Sequence, residues 1–258
     1  MVNNVKSVLI DLSGTLHIDN TVIPGAVDAL NKLRNTNLLI KFVTNTTKES
    51  KNVLHSRLTK LGFNITKEEI FSSLAAAREI VKTRKLNPLY LIEDDAMEDF
   101  KDLIDSTNQF NAVMVGLAPS KFDYIHLNEA FRLLMNGASL IAIHEGRYYK
   151  KSDGLAIGPG AFVKGLEYSS DVKAEVIGKP TSGFFKAALG TFLPEEAIMI
   201  GDDVNDDIAG AQAVGIKGFL VKTGKYQSGD ENKIEPAPTK VCDSFTEAVD
   251  IIIHHYLN

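Results

Sequence analysis

Short runs of apolar residues alternate along this chain with longer stretches in which apolar positions recur every three or four residues. The short runs suit buried strands and the longer ones amphipathic helices, an alternation that predicts a parallel sheet with crossover helices. "VKSVLIDL" predicts a first strand from Val5 to Leu12, and "LLIKFVTN" a second that ends at Thr44. Between them, "PGAVDALNKLR" predicts a helix with Pro24 at its first position and Val27, Leu30 and Leu33 on one face. "KESKNVLHSRLTKLG" predicts a helix that stops at Gly62.

After Ser72-Ser73 the helix "LAAAREIVKTRK" opens a new set of α/β units: "PLYLI", "NAVMVGL", the helix "KFDYIHLNEAFRLLMNG" and "SLIAIH". These predict a separate layer with its own small core. The first pattern resumes near "AEVIGKP", with a helix over 182–190, the strand "AIMIG", the helix "DDIAGAQAVG", the strand "KGFLV" and a final helix, "SFTEAVDIIIHHYL". The chain is thus expected to be an α/β protein. One doubly wound domain, residues 1–74 and 179–258, would carry a second domain, residues 75–178, inserted into it.

Composition narrows the function classes. A chain of 258 residues, 44% hydrophobic and 24% charged, has room for two globular α/β units. Its net charge of −5 gives no basic field for nucleic acid. Its apolar runs fall short of the ~20 residues of a membrane span, and "MVNNVKSVLI" lacks a signal-peptide core. A cytoplasmic location without nucleic-acid or membrane partners is therefore expected. The single Cys242 rules out an internal disulfide, and its apolar setting predicts a packing thiol.

The candidate chemistry sits at predicted strand ends, where open α/β sheets place their ligands. "VLIDLSGT" ends a strand in Asp11, "FVTNTT" in Thr44 and Asn45, and "VIGKP" presents Lys179. "IMIGDDVNDDIAGA" crowds Asp202, Asp203, Asp206 and Asp207 together. Taken singly, Thr44 could close a strand, Lys179 could be a surface charge, and the acids could cap a helix. Four carboxylates so close cannot all be buried without partners or a cation. Together, the four strand ends predict a phosphate site with a hard divalent cation, for which Mg²⁺ is suited. No "GxxxxGK[ST]" occurs, which excludes a P-loop.

"DLSGT", "VTNTT", "GKP" and "GDDVNDDIAGA" resemble the four motifs of the haloacid dehalogenase-like hydrolase superfamily. The segment between the second and third motifs resembles the large α/β cap of its NagD-like, C2-capped branch, as do "IPGA", "NGASLIA" and "GLAIGPGAFVKGLEY". The resemblance implies a Rossmann-like core with a cap that closes over the site, hinged near Ser72-Ser73 and Gly178. It also implies dimerisation through the cap, and a small-molecule or protein phosphate as substrate. Asp11 would be the nucleophile, forming an aspartyl-phosphate. Asp11, Asp202 and the carbonyl of Ser13 would hold Mg²⁺. Ser13, Thr44, the backbone of Asn45 and Lys179 would contact the phosphoryl group, with Lys179 neutralising its charge. Asp207 would orient Lys179 or a metal-bound water, and Asp203 and Asp206 would act as caps or outer groups.

Ser13 departs from the family pattern, which has a second acid there to protonate the leaving group and then activate water. Such help is worth ~10²–10⁴ in rate. The expectation is a Mg²⁺-dependent phosphatase or phosphotransferase with slow turnover. Acyl, aryl and phosphoramidate leaving groups would suffer least. The alternative is a phosphate- or metabolite-binding protein that has lost turnover. His17 and Asp19 are candidates for a replacement base. His126 and His144 fall in the cap, and "IAIHEGRYY" makes His144, Glu145 and Arg147 candidates for specificity or for a replacement acid.

Overall fold

The computed structural model describes residues 5–105 and 109–257. The chain starts with β1 (Ser7–Ile10), a small hairpin of β2 (His17–Ile18) and β3 (Thr21–Val22), and α1 (Ala26–Arg34). β4 (Leu39–Thr44), α2 (Lys51–Lys60) and β5 (Ile70–Ser72) follow. The inserted segment runs through α3 (Ser73–Arg84), β6 (Pro88–Leu91), β7 (Ala112–Val115), α4 (Tyr124–Met135) and β8 (Ser139–Ala142). It ends with a hairpin of β9 (Tyr148–Lys151) and β10 (Gly154–Ile157), α5 (Gly160–Ser170) and β11 (Glu175–Val176). The chain then returns through α6 (Ser182–Leu189), β12 (Ala197–Gly201), α7 (Gly210–Gln212), β13 (Lys217–Val221), β14 (Lys240–Cys242) and α8 (Phe245–His255).

Two parallel sheets result. The larger has six strands in the order β14-β13-β12-β1-β4-β5, and the smaller has four in the order β11-β8-β7-β6. In the larger sheet the chain steps outward from β1 to β4 and β5, then returns to build β12, β13 and β14 on the other side. Strand order therefore reverses between β1 and β12, the switch point where such sheets open a crevice for ligands.

The continuous apolar strands follow from burial on both faces. On β1, Val8 and Ile10 pack with Leu30, Leu33, Val249 and Ile252 from α1 and α8, while Leu9 packs with Phe184 and Phe185 from α6. The smaller sheet repeats the scheme, with Ala112 and Met114 of β7 facing one core and Val113 and Val115 the other. Cys242 is wholly buried on the edge strand, and burial pushes its thiol up to about 12, as expected of a packing group.

Three local expectations are corrected. Pro24 does not begin the first helix. The Ala26 amide closes a turn onto the Ile23 carbonyl at 3.0 Å, with Pro24 and Gly25 at its centre and Gly25 at φ +79°. A Pro-Gly pair with positive φ at the second position makes a type II turn rather than a first helical turn. "DDIAGAQAVG" is not one regular helix: a wide π-type turn spans Val204–Ala209 before α7. The strand in "AEVIGKP" pairs with β8 and so belongs to the smaller sheet, and the first pattern resumes only at Lys179. Both hairpins, β5, β14 and α5 went unpredicted, being short or lacking a clear period.

Candidate active site

Asp11 follows β1 and Asp202 follows β12, so the reversal of strand order places both carboxylates at one crevice. The turn after Asp11 brings them close. Gly14 has φ +97°, and a Cβ on it would lie inside the Asp202 carboxylate. Gly224, in the loop after β13, meets the same carboxylate from another direction. Glycine is required here because any side chain would displace the acid. The Thr223 hydroxyl donates to the Gly14 carbonyl at 2.5 Å and ties the two loops together.

Lys179 enters between two carboxylates. Its Nζ lies 2.5 Å from Asp11 Oδ1 and 2.7 Å from Asp207 Oδ1, and donates to the Val43 carbonyl at 3.2 Å. Burial disfavours its charge, but Asp11 and Asp207 outweigh that and hold its pKa above the usual lysine range. Asn45 fixes the lysine: its Oδ1 accepts from the Lys179 amide and its Nδ2 donates to the Lys179 carbonyl, both at 3.0 Å. The side chain of Asn45 is thus committed to positioning, leaving its backbone for a ligand. The Thr44 hydroxyl accepts from the Thr46 amide at 3.1 Å and shapes the same turn.

Asp202 is wholly buried. Its Oδ2 accepts from the Lys225 amide at 2.6 Å, while its Oδ1 has no hydrogen-bond partner. Burial raises its pKa well above the carboxylate range, offset in part by Lys225 and reinforced by Asp11 and Asp207. Burial likewise raises Asp207 to about 6, against the pull of Lys179, and Asp206 to about 7, with Asp203 adding to the effect. Asp11, Asp202 and Asp207 each present an oxygen, and the three oxygens lie within 4.8 Å of one another. This buried acidic set, with an orphaned oxygen and a single lysine between two members, fits a hard divalent cation with oxygen ligands. Asp203 instead caps the π-type turn, accepting from the Asn205 and Asp206 amides at 2.9 Å.

A cavity of about 360 Å³ opens over Asp11, and Ser13, Thr44, Asn45, Lys179, Asp206 and Asp207 line it. The inserted segment forms its other wall with Leu117, His144, Tyr148, Tyr149 and Lys150. Several contacts join the walls, His144 Nε2 at 3.5 Å from Thr47 Oγ1 among them. The Leu117 amide donates to Thr47 Oγ1 at 2.7 Å, the Ser152 amide to Asp19 Oδ2 at 2.8 Å, and Lys48 Nζ lies 4.2 Å from the centre of the Tyr149 ring.

Of the candidates His126, His144, Glu145 and Arg147 in the inserted segment, His144 alone lines the cavity. Its Nδ1 accepts from the Gly146 amide at 3.2 Å, and this tight turn sends its neighbours elsewhere. Glu145 pairs with Lys164, Arg147 is exposed, and His126 pairs with Asp123 on the surface. Burial lowers His144 to about 3 and, with the Arg57 charge, lowers His17 to about 4, so both imidazoles are neutral near pH 7. Asp19 lines the cavity with its carboxylate held by Ser152.

Sequence reasoning missed Lys225. Its Nζ pairs with Asp203 at 2.7 Å, and its amide positions Asp202. The available signal was "KTGK" directly after the strand "KGFLV", a lysine and a glycine at one more strand end.

Residues 8–104 match the family model described as haloacid dehalogenase-like hydrolase, and residues 176–248 match a second, HAD-hydrolase-like model. The chain is 56% identical to haloacid dehalogenase-like hydrolase domain-containing protein 2 of Bos taurus, covering 98% of each. It is 39% identical to phospholysine phosphohistidine inorganic pyrophosphate phosphatase of Xenopus laevis, over 97% of this chain and 96% of that one. The solved structure of NagD from E. coli K-12 superposes with a TM-score of 0.82 at 24% identity, covering 96% of this chain and 98% of that one. The chain belongs to the haloacid dehalogenase-like hydrolases and shares the fold of their NagD-like members.

Proposed function

We propose that this protein is a Mg²⁺-dependent phosphatase that works through an aspartyl-phosphate on Asp11 and turns over slowly. The observation that carries this reading is the buried set at the switch point: Asp11 beside the Lys179 ammonium, with the orphaned Asp202 oxygen close by. Asp11, Asp202 and the Ser13 carbonyl would hold the cation, with Asp207 adjacent. When bound, Mg²⁺ would offset the charge of these carboxylates and of the phosphoryl group.

The chain's own residues supply the rest. An Asp11 oxygen attacks phosphorus, the bond to the leaving group breaks, and its electron pair departs with the leaving atom. Lys179, fixed by Asn45, holds a positive charge where the phosphoryl oxygens gather negative charge. Thr44 and the Asn45 amide would orient those oxygens. Ser13 has no carboxyl to protonate the departing atom or to activate water afterwards. Leaving groups that need no such proton are favoured, namely aryl, acyl and nitrogen-linked phosphates. The relative named for phospholysine and phosphohistidine supports this substrate class. The inserted segment acts as the cap, hinged near Ser72-Ser73 and Gly178.

Burst-phase and steady-state hydrolysis of an aryl phosphate with Mg²⁺ tests the reading. Asp11→Asn is expected to lower turnover by at least about 10³-fold, and Ser13→Asp to raise it by about 10²-fold. Failure of both wild type and Ser13→Asp to turn over, with Mg²⁺ and phosphate still bound, would instead identify a binding protein.

A further inference from the structure

Two neighbouring strand ends of the smaller sheet are occupied by the protein itself. Leu117 and His144 each stand two residues past a strand, β7 and β8 respectively, and those strands are paired. Thr47, three residues past β4 of the larger sheet, sets its hydroxyl against both. The hydroxyl accepts from the Leu117 amide at 2.7 Å and faces His144 Nε2 at 3.5 Å. His144 Nδ1 accepts from the Gly146 amide, so in the neutral ring Nε2 carries the hydrogen and turns it toward Thr47. Gly116 makes the approach possible, because a Cβ there would stand 3.0 Å from Thr47 Cβ and Oγ1. Thr47 is 1% exposed, and the buried Leu117 amide would be left unpaired without this acceptor.

The same loop is held at its other end. The Thr46 amide donates to Thr44 Oγ1, and Asn45 grips the Lys179 backbone through both its amide groups. Gly178, just past β11, has no room for a side chain: a Cβ would press on Asn45 Oδ1, the Ile143 carbonyl and Ser73. Residues 44–47 therefore meet the inserted segment through Thr47, the chain's crossings through Asn45, and the cavity through Thr44.

We propose that Thr47 is a positioning residue that carries the seating of the inserted segment, through this loop, to Asn45 and Lys179. This rests on the phosphatase reading and deepens it. With Leu117 and His144 docked on the hydroxyl, the loop is fixed at both ends, and the Lys179 ammonium stays beside Asp11. When the inserted segment lifts, the loop loses one anchor and Asn45 loosens its hold on Lys179. The site is thus complete only while the cavity is covered, which confines phosphoryl transfer to the enclosed state.

The test follows hydrogen exchange of single amides by NMR in the full chain, together with kcat and KM for p-nitrophenyl phosphate with Mg²⁺, in wild type, Thr47→Val and Thr47→Ser. Thr47→Val keeps the shape and removes the acceptor. It is expected to speed exchange at Leu117, and also at Lys179, whose amide is bonded to Asn45 rather than to Thr47. Each rise is expected to be at least about ten-fold beyond any change at Phe219 in β13, which reports global opening. The same variant is expected to lower kcat by at least about ten-fold, with KM within about three-fold of wild type. Thr47→Ser, which keeps the hydroxyl, is expected to stay near wild type in both readings. Should Thr47→Val not fold, Gly116→Ala, which presses on Thr47 from the other wall, takes its place with the same expectations. Unchanged exchange at Lys179, or an unchanged kcat, would overturn the assignment and leave the phosphatase reading intact. Faster exchange at both amides in a protein whose wild type shows no turnover would overturn the phosphatase reading while the coupling stands.

Discussion

The two sheets are built alike and charged differently. Both are parallel, both are buried on two faces, and both send their strand ends toward the same cavity. The six-stranded sheet delivers Asp11 and Thr44 there and sets Asp202 close to Asp11, with Lys179 packed against Asp11 nearly out of contact with solvent. The four-stranded sheet and its hairpin deliver Leu117, His144 and two tyrosines, and the Arg84–Glu175 ion pair of this region lies out in water. The difference teaches that strand-end geometry alone does not make a site. What distinguishes the larger sheet is the reversal between β1 and β12, which sets carboxylates from neighbouring strands against each other, where only a cation or a lysine can relieve them.

The sharpest way to break this comparison is to remove one charge from each region. Lys179→Met leaves Asp11 and Asp207 buried without their ammonium, and is expected to cost about 3–5 kcal/mol in denaturant unfolding of the metal-free protein. Arg84→Ala removes an ion pair whose two side chains are 50% and 47% exposed, and is expected to cost less than about 1 kcal/mol. Similar losses for the two variants would show that the core charges are not uniquely coupled.

A second test reads the same carboxylates through pH. Burial raises Asp206 to about 7 and Asp207 to about 6 in the folded state, against 3.8 for an unperturbed aspartate. The folded protein therefore holds more protons than the unfolded chain, and its stability falls as pH rises through those values. His17 and His144, lowered from 6.5, work in the opposite direction, but only below that value. The melting temperature of the metal-free protein is thus expected to fall between pH 6.5 and about 7.5, through Asp206 and through Asp202, which burial also raises. Saturating Mg²⁺ should remove most of the fall, and a fall that Mg²⁺ leaves untouched would count against a cation among these acids.

The smallest expected effect belongs to the clasp between the two regions. Lys48 over the Tyr149 ring is a cation–π contact at the cavity mouth, worth about 0.5–1 kcal/mol. Tyr149→Leu is expected to raise KM by about two- to five-fold with kcat nearly unchanged. A large fall in kcat would show that the inserted segment takes part in the chemistry rather than in holding the substrate.

Much of this molecule was determined by the sequence alone. The alternation of apolar runs and amphipathic stretches dictated two parallel sheets, because a strand buried on both faces must be apolar throughout. Asp11, Thr44, Asn45, Lys179 and Asp202 were legible because each stands at or just past the end of such a run, and Asp207 because it falls in the acidic stretch behind one. Other features were decided only by the tertiary structure. Asn45 was expected to act through its backbone, yet its side chain clamps Lys179, a partner 134 residues away that no local pattern could reveal. Lys225 carried a local signal, but its contact with Asp202 depends on β13 lying beside β12. Glu145 and Arg147 share a motif with His144, yet a single turn leaves only the histidine in the cavity. Periodicity fixes which side of an element is apolar, whereas the direction of a polar side chain is set by whichever distant group satisfies it.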